Sequence, residues 1–532
     1  MKNMIKGLFS VVLLLKIAPG IGADVAGEHS YFLGGQGNIS RLPMMGAHRD
    51  SDKMYGCFNV QVEYGQNTKR ADLGKYFSLG GTDNTMRVGP RRDGDATPAN
   101  ATTQFYNLNL LLPGTHDSVV TFLPKIQTTA INLSGFVGLD KFMEGLHLQV
   151  DLPLVHTKTD MQLSQTANSG ATTATIAGGI LRNTATATTI TATNTHSGGF
   201  IEAIKGRSLD GNVTTAMQYG KIDGAKSKTK IGNAVVGLGY DFMNKENMHL
   251  GVGVLGMFNG AGGSTAEFWG ERAIGTAGRH GVGGRVNGHI RLYENDNAEI
   301  NATLNADVLH VFDKTVRRSY DWTANGNGSR YILVKEFTAD LAYNSIIYYG
   351  TNITSQQAKV GMDLLYDVSL NFCYSHGNLR ADVGYQLNGH SKEKHKEWVG
   401  RIAGKKFGLL ATTTAGAAGA TTTAATAGDG ADILITNFND SNSITVDVSG
   451  NTGTNAVAAT FSSARSYTEE DLNKNSGMAP AGLAHRVHGG LHYMWVENEF
   501  EPCVGAYGGT QLAADNKALS GWFVGFAGSI CF

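Results

Sequence analysis

The chain contains no apolar run of about 18 residues, so no segment is suited to crossing a bilayer as a helix. Proline is scarce, 9 in 532 residues, and no clear linker splits the sequence in two. Charged residues make up 17 %, below the roughly 25 % usual in soluble domains. The formal net charge is −1, which excludes the basic footprint of a nucleic-acid binder. Four cysteines are present, and neither they nor any carboxylate pair complete a metal-ligand set around His485, His488 and His492. There is no nucleophile elbow and no HExxH, so no catalytic residue, metal or cofactor is expected. An enzyme here would have to build its site from scattered residues.

What is present is glycine, 70 residues of it, and alternation with period two. From Val360 to Tyr374 every second residue is apolar, against Asp363, Asp367, Ser369 and Asn371 on the other parity. At 41 % hydrophobic residues, eight such positions in a row arise by chance roughly once in a thousand trials. The pattern recurs at 58–64, 131–139, 146–154, 236–242, 248–254, 286–292, 300–308, 379–387 and 487–495. These segments fit the 9–11 residues of a membrane strand better than the 5–6 of a soluble one. Gly251-Val-Gly-Val-Leu-Gly256 matches a dinucleotide-binding pattern but lies within one such strand, where glycine lets neighbouring side chains cross the lumen.

Short polar connections at 140–145, 243–247, 294–297, 375–378 and 497–499 alternate with long ones at 66–128, 158–229, 259–280, 311–359 and 392–483. Short turns on one rim and long loops on the other predict an all-β fold, a transmembrane antiparallel up-and-down β-barrel with periplasmic turns and extracellular loops. The count is about 12 strands (range 10–16), or fourteen if Phe105–Leu112 and Val119–Ile126 add a hairpin. Stretches 171–194 and 411–427, rich in Ala and Thr, are expected as exposed loop tips. At the start, Lys2 and Lys6, the apolar Leu8–Leu15 and the small residues Gly20–Ala23 read as a signal peptide, 1–22. A periplasmic segment, 23–53, and the barrel, 54–532, follow.

The sequence ends Trp522-Phe-Val-Gly-Phe-Ala-Gly-Ser-Ile-Cys-Phe532. Trp522, Val524, Phe526, Ile530 and Phe532 share one parity, and the last residue is aromatic. This resembles the terminal strand of bacterial outer-membrane β-barrel proteins, the porin-like class included; no single family is identified. The resemblance implies an outer-membrane location after removal of the signal peptide. It implies outer-membrane lipid and the barrel assembly machinery as partners, with these five residues as the assembly signal. Aromatics on the same parity cluster near the strand ends, Tyr240, Phe242, Phe372, Tyr374, Tyr493 and Trp495 at one rim and Tyr64, Phe258 and Trp522 at the other, as interfacial girdles do.

The opposite parity is expected to face the lumen. It carries Glu63, His147, Asp151, Arg285, His289, Arg291, Glu299, Asp307, Asp363, Asp367, Arg380, Asp382, Arg486, His488 and His492. Across the turn at 294–297, Arg291 should lie near Glu299. Such a mixed-charge face is either a polar interior satisfied by internal ion pairs and water or the transverse field of a channel. The leading functional expectation is a passive channel for small polar solutes. The alternatives are a surface-exposed structural or adhesive protein anchored by its barrel and, least favoured, a barrel enzyme. Cys57, Cys373, Cys503 and Cys531 fall near the short-turn end, and Cys531 has two candidate disulfide partners, Cys57 across the closing seam and Cys503 on the preceding strand. Four unpaired residues are the alternative.

The parity assignment is testable. Leu364→Arg should impair assembly, because arginine facing lipid at mid-depth costs about 2–4 kcal/mol. Asp367→Asn should assemble normally. Equal recovery of both variants in membranes would reverse the facing of that strand.

Overall fold

The alternating segments form twelve antiparallel strands. They are β1 (Gly56–Asn67), β2 (Lys125–Gly138), β3 (Leu146–Asp160), β4 (Asn233–Lys245), β5 (Met248–Asn259) and β6 (Gly281–Glu294). The second half comprises β7 (Ala298–Ser319), β8 (Ser355–His376), β9 (Leu379–His390), β10 (Gly482–Met494), β11 (Glu501–Ala513) and β12 (Gly521–Cys531). The computed structural model describes residues 55–79, 83–89, 117–168, 199–207, 215–245, 247–323, 328–337, 343–402, 468–496, 500–514 and 520–532, with the short strands 31–32, 104–106, 174–176, 188–190 and 406–409.

Each strand pairs with its neighbours in sequence, and β12 closes on β1, from Cys57 opposite Cys531 to Asn67 opposite Gly521. Closure leaves no edge with unpaired backbone groups, the condition for strands to cross lipid. Gly56 N–H donates to Phe532 O at 2.8 Å and Phe532 N–H returns the bond to Gly56 O at 2.9 Å, completing the seam at the short-turn end.

Large apolar side chains cover the outside. Leu148, Leu238, Val254, Val286, Val383, Val487, Val504 and Phe526 are all exposed, which no soluble monomer sustains around its whole girth. The expected girdle aromatics are among them, with Tyr64 packed on Trp522 at 5.7 Å between ring centroids and Tyr493 on Trp495 at 4.9 Å. On β12, Trp522, Val524, Phe526 and Ile530 point outward, and the terminal Phe532 is exposed beside them.

The structure corrects three expectations. The segments around Phe105 and Val119 are not a barrel hairpin. Strands 104–106, 85–89, 117–121 and 164–168 form a separate four-stranded sheet on the long-loop side, so the ring stays at twelve. The single face drawn through Val360–Tyr374 breaks at a β-bulge, where His310 pairs with Leu364 but Val311 pairs with Met362. The extra residue flips the parity. Val360 and Met362 are therefore buried inside, and Asp363 stands beside His310 and Leu364 on the outer face, paired with Lys394 and, at 3.7 Å, Lys396. Leu364 faces out, but it lies level with the end of β9, where Ser391 N–H donates to its carbonyl. The residue of β8 at mid-depth is Leu370, paired with Tyr385, and the full lipid penalty belongs there.

Most of the stretch 23–53, like the expected signal peptide 1–22, the run 411–427 and most of 171–194, lies outside the described residues. Tyr31–Phe32 pair in parallel with Glu271–Arg272 on the long-loop side of the barrel.

The long connections build a cap with its own hydrophobic core. Helix α1 (Arg70–Phe77) contributes Leu73, Tyr76 and Phe77. Val120, Phe122, Phe200, Ile204, Trp269, Tyr331 and Tyr349 come from other connections and pack with them, down to Ala484 on β10.

Cys57 and Cys531, directly opposed across the seam, are disulfide-bonded. Cys503 is not the partner of Cys531, because the register places Cys503 opposite Ser529 and Glu501 opposite Cys531. It is a buried thiol, clustered with Cys373 and Met494. Non-reducing mass spectrometry of the folded protein should therefore yield a Cys57–Cys531 linked peptide. Cys373 and Cys503 should alkylate only after unfolding. A linked peptide joining Cys373 to Cys57 or Cys531 would contradict the strand order.

Candidate functional site

Small residues on the inner face make room for large polar ones. Gly239 lies beneath the His147 ring and Gly251 beneath the Asp241 carboxylate, and a Cβ at either place would overlap that side chain. His147 Nδ1 then stands 3.4 Å from Asp241, and Asn287 donates to the same carboxylate at 3.1 Å. The glycines of β4 and β5 thus let side chains of β3 and β6 meet across them. Arg285 on β6 donates to both carboxylate oxygens of Asp307 on β7, at 2.6 and 2.8 Å, and reaches over to Gln149 on β3, with Asp151 3.9 Å away.

A second charge bridge spans the other half of the ring. Arg486 on β10 pairs with Glu63 on β1, three strands away, and its guanidinium lies 3.6 Å from the ring centroid of Phe523 on β12. The charge is thereby held by a carboxylate on one side and a π face on the other. Arg285, Asp307, Glu63 and Arg486 are 5 %, 0 %, 4 % and 3 % exposed, so side chains fill the lumen at this level.

Nearer the short turns, Asp382 on β9 receives His492 Nε2 at 2.5 Å, and His488 Nε2 lies 3.9 Å from its other oxygen. His485, on the opposite parity, meets Tyr385 on the outside. His289 stacks on His249 at 5.3 Å and contacts Asn301 at 3.0 Å. Arg291 donates to Glu299 at 3.2 Å, the pair expected across the short turn, and to Glu294. Gln386 donates to Asp367, and Arg380, on the same strand as Asp382, is half-buried opposite His492. Asp363, expected in the lumen, stands on the outer face.

Above this polar layer, the connection between β5 and β6 folds back into the ring. Ala273 and Ala277 pack on inward residues of β4, β5, β7 and β8, including Val235, Leu255, Val311 and Met362. Ile274 packs on Ala130 of β2 and Val155 of β3. Arg272 donates to Thr128 Oγ1 at 2.7 Å and more weakly to Thr157 Oγ1 at 3.4 Å, and burial lowers its pKa to about 10. One loop therefore touches six of the twelve strands and plugs the lumen on the long-loop side.

The plug is fixed where it leaves the wall. Glu393, beyond the end of β9, accepts from Arg279 at 2.7 Å, Arg318 at 3.1 Å and the Ala479 N–H at 3.0 Å, and all three side chains are buried. Burial raises the Glu393 pKa, but Arg318, Arg279 and the Ala479 N–H outweigh it and hold the carboxyl below the usual range. The wall residues of the polar layer were legible from parity. Gln149, Asp241 and Phe523 share that parity, but nothing in the sequence singled them out. Glu393, Arg279 and Arg318 carry no sequence signal, since two of them come from separate connections and the third from the end of β7, and they meet only in the fold.

Fold and lumen together define a closed twelve-stranded, antiparallel, up-and-down transmembrane β-barrel. No protein-family model and no curated protein matches the chain. Among solved structures, it is similar to an outer membrane channel from Pseudomonas putida F1 at 7% identity, covering 93% of this chain and 98% of that one with a TM-score of 0.33. It is also similar to a Pseudomonas aeruginosa FadL homologue at 8% identity, 90% of each chain and a TM-score of 0.24. The transport unit of the autotransporter AIDA-I from Escherichia coli overlaps at 7% identity, 92% of this chain, 94% of that one and a TM-score of 0.28. Overlaps this loose carry no information about what this chain passes or displays.

The Glu63–Arg486 bridge makes a specific energetic claim. Arg486→Met leaves Glu63 buried without its cation and should cost about 3–5 kcal/mol. The double variant Glu63→Gln/Arg486→Met should recover most of that loss. Urea unfolding of the refolded barrel, read by tryptophan fluorescence, gives both numbers. Additive losses would show that the two side chains do not interact.

Proposed function

We propose that this protein is an outer-membrane channel for small polar solutes, closed in the conformation described here. One observation carries the reading. The lumen is lined by paired charges of both signs, Arg285 with Asp307 on one side and Glu63 with Arg486 on the other. A polar solute entering that layer exchanges its hydration for donors and acceptors already oriented by their partners. An apolar solute finds no continuous apolar track through it. The signal peptide, the assembly role of Trp522, Val524, Phe526, Ile530 and Phe532, and the assembly machinery as partner belong to the same reading.

The cap favours a second reading, in which a sealed barrel serves as anchor for a surface-exposed structural or adhesive unit. Its buried core joins several connections, which is more organisation than loose loops require.

Planar-bilayer recording separates the two. Replacing residues 264–277 by a short glycine–serine link should give stepwise currents, with cations and anions both permeant because the lumen carries both signs. Arg285→Ala in that background should shift selectivity toward cations, since Asp307 loses its counter-charge. A folded plug-less barrel that never conducts would overturn the channel in favour of the anchor.

A further inference from the structure

The polar inner wall is satisfied unevenly around the ring. On one half, Arg285 is bonded to Asp307 and Gln149, and Asn287 to Asp241. On β8–β10 a patch of buried polar side chains lacks such ties. Ser369 and Asn371 on β8, Gln386 on β9 and His488 on β10 are 0 %, 1 %, 2 % and 2 % exposed. Among the described residues, the Ser369 hydroxyl, both amide atoms of Asn371, Gln386 Oε1 and both ring nitrogens of His488 have no hydrogen-bond partner. Thr303 Oγ1, on the neighbouring β7, is in the same condition. A buried polar atom without a partner is costly, and folded proteins keep few of them. Here they adjoin one another.

The register brings these atoms together. Ser369 stands opposite Gln386, and Asn371 is flanked by Thr303 on one side and Gly384 on the other. Gly384 in turn stands opposite His488. A Cβ on Gly384 would overlap both Asn371 Oδ1 and His488 Nε2, so the amide and the imidazole converge over that glycine. Neighbouring strands are about 4.8 Å apart and same-face residues about 6.6 Å apart along a strand, so the patch has the span of a small molecule rather than of one water. Access comes from the short-turn side. From Glu299 to Asn305 the inward residues of β7 remain half-exposed, so an unfilled hollow runs from that rim up to the layer of Arg285 and Asp307. The charges bordering the patch offset one another. Arg486 is on Glu63, and Arg380 stands two residues from Asp382 on the same face of β9.

We propose that Thr303, Ser369, Asn371, Gln386 and His488 form a binding site for an uncharged, hydroxyl-rich solute of hexose size, entered from the short-turn side. The inference rests on the channel reading above and names its solute class. Each hydroxyl of such a solute both donates and accepts, as the amide and hydroxyl side chains of the patch do between them, so the water lost on both sides is replaced by direct bonds. A charged solute of the same size would give up more hydration and meet no net counter-charge. The Arg285–Asp307 pair closes the site above, so the plug stays seated while the site is filled.

Calorimetric titration of the purified full chain in a sugar-free detergent tests this with four probes. Glucose and sorbitol are uncharged, whereas glucosamine and gluconate carry one charge of either sign. The uncharged pair should bind about ten-fold more tightly than the charged pair. Equal or tighter binding of the charged pair overturns the solute class. No binding of any probe leaves the patch to water alone and overturns the site. Neither arm needs a variant. Asn371→Leu removes an amide that no protein group answers, so it should weaken glucose binding about ten-fold and leave the urea midpoint unchanged or raised. A lowered midpoint with glucose binding intact would make that amide structural and remove it from the site. Bilayer currents keep the two readings apart. If the plug-less barrel conducts but the full chain binds no sugar, the site fails and the channel stands. If sugar binds and the plug-less barrel is silent, the site stands and the channel falls.

Discussion

In lipid, an unpaired backbone N–H or C=O has no water to turn to, and everything in this structure depends on the ring being closed. The seam between β1 and β12 is where closure is decided, because those strands are the farthest apart in sequence. Three independent features converge there. Hydrogen bonds run the length of the pair, the Cys57–Cys531 disulfide ties its short-turn end, and outward Trp522 and Tyr64 pack together at the other. Closing a loop of nearly the whole chain carries an entropic cost that grows only slowly with length, so a modest set of local contacts suffices once the strands meet.

A closed ring creates a second requirement, since its interior must be filled or wet. Here the inner parity is filled asymmetrically. β4 and β5 supply glycine where β3 and β6 supply His147, Gln149 and Arg285, and β12 supplies Phe523 where Arg486 crosses toward Glu63. Small and large residues alternate around the circumference as well as along each strand. Buried ion pairs of this kind contribute little net stability, because desolvation consumes most of the Coulomb gain. Their effect is on register. A one-residue slip of β6 against β7 would carry Arg285 to the lipid face and leave Asp307 buried alone.

The same period-two rule explains what was readable in advance. Strand facing, the number of strands, the position of the short turns and the Arg291–Glu299 contact all follow from alternation along a continuous strand. The rule fails where the strand gains a residue. Beyond the bulge at Asp363 the parity is inverted, and nothing in Val360-Gly-Met-Asp-Leu distinguishes that strand from an unbroken one. The cap was illegible for a different reason. Its core draws Leu73, Phe122, Phe200, Trp269 and Tyr331 from separate connections, with no period linking them. Apolar residues spaced irregularly through polar sequence carry no signal until the connections are brought together in space.

That separation between strand and loop also sets where motion is affordable. The barrel wall is one cooperative ladder, and displacing a strand breaks hydrogen bonds on both sides at once. The plug is held by the Glu393 cluster at its neck, by Thr276 and Ile274 on Asn233 and Asn259, and by Arg272 on Thr128 and Thr157. Trp269 is the one large apolar group among 264–278 that is buried away from the barrel wall, and its burial in the cap exceeds what Ala273 and Ala277 bury against the wall. The plug is therefore tied to both, to the wall through Ile274, Thr276 and Arg272 and to the cap through Trp269, while the wall itself is fixed by its backbone ladder.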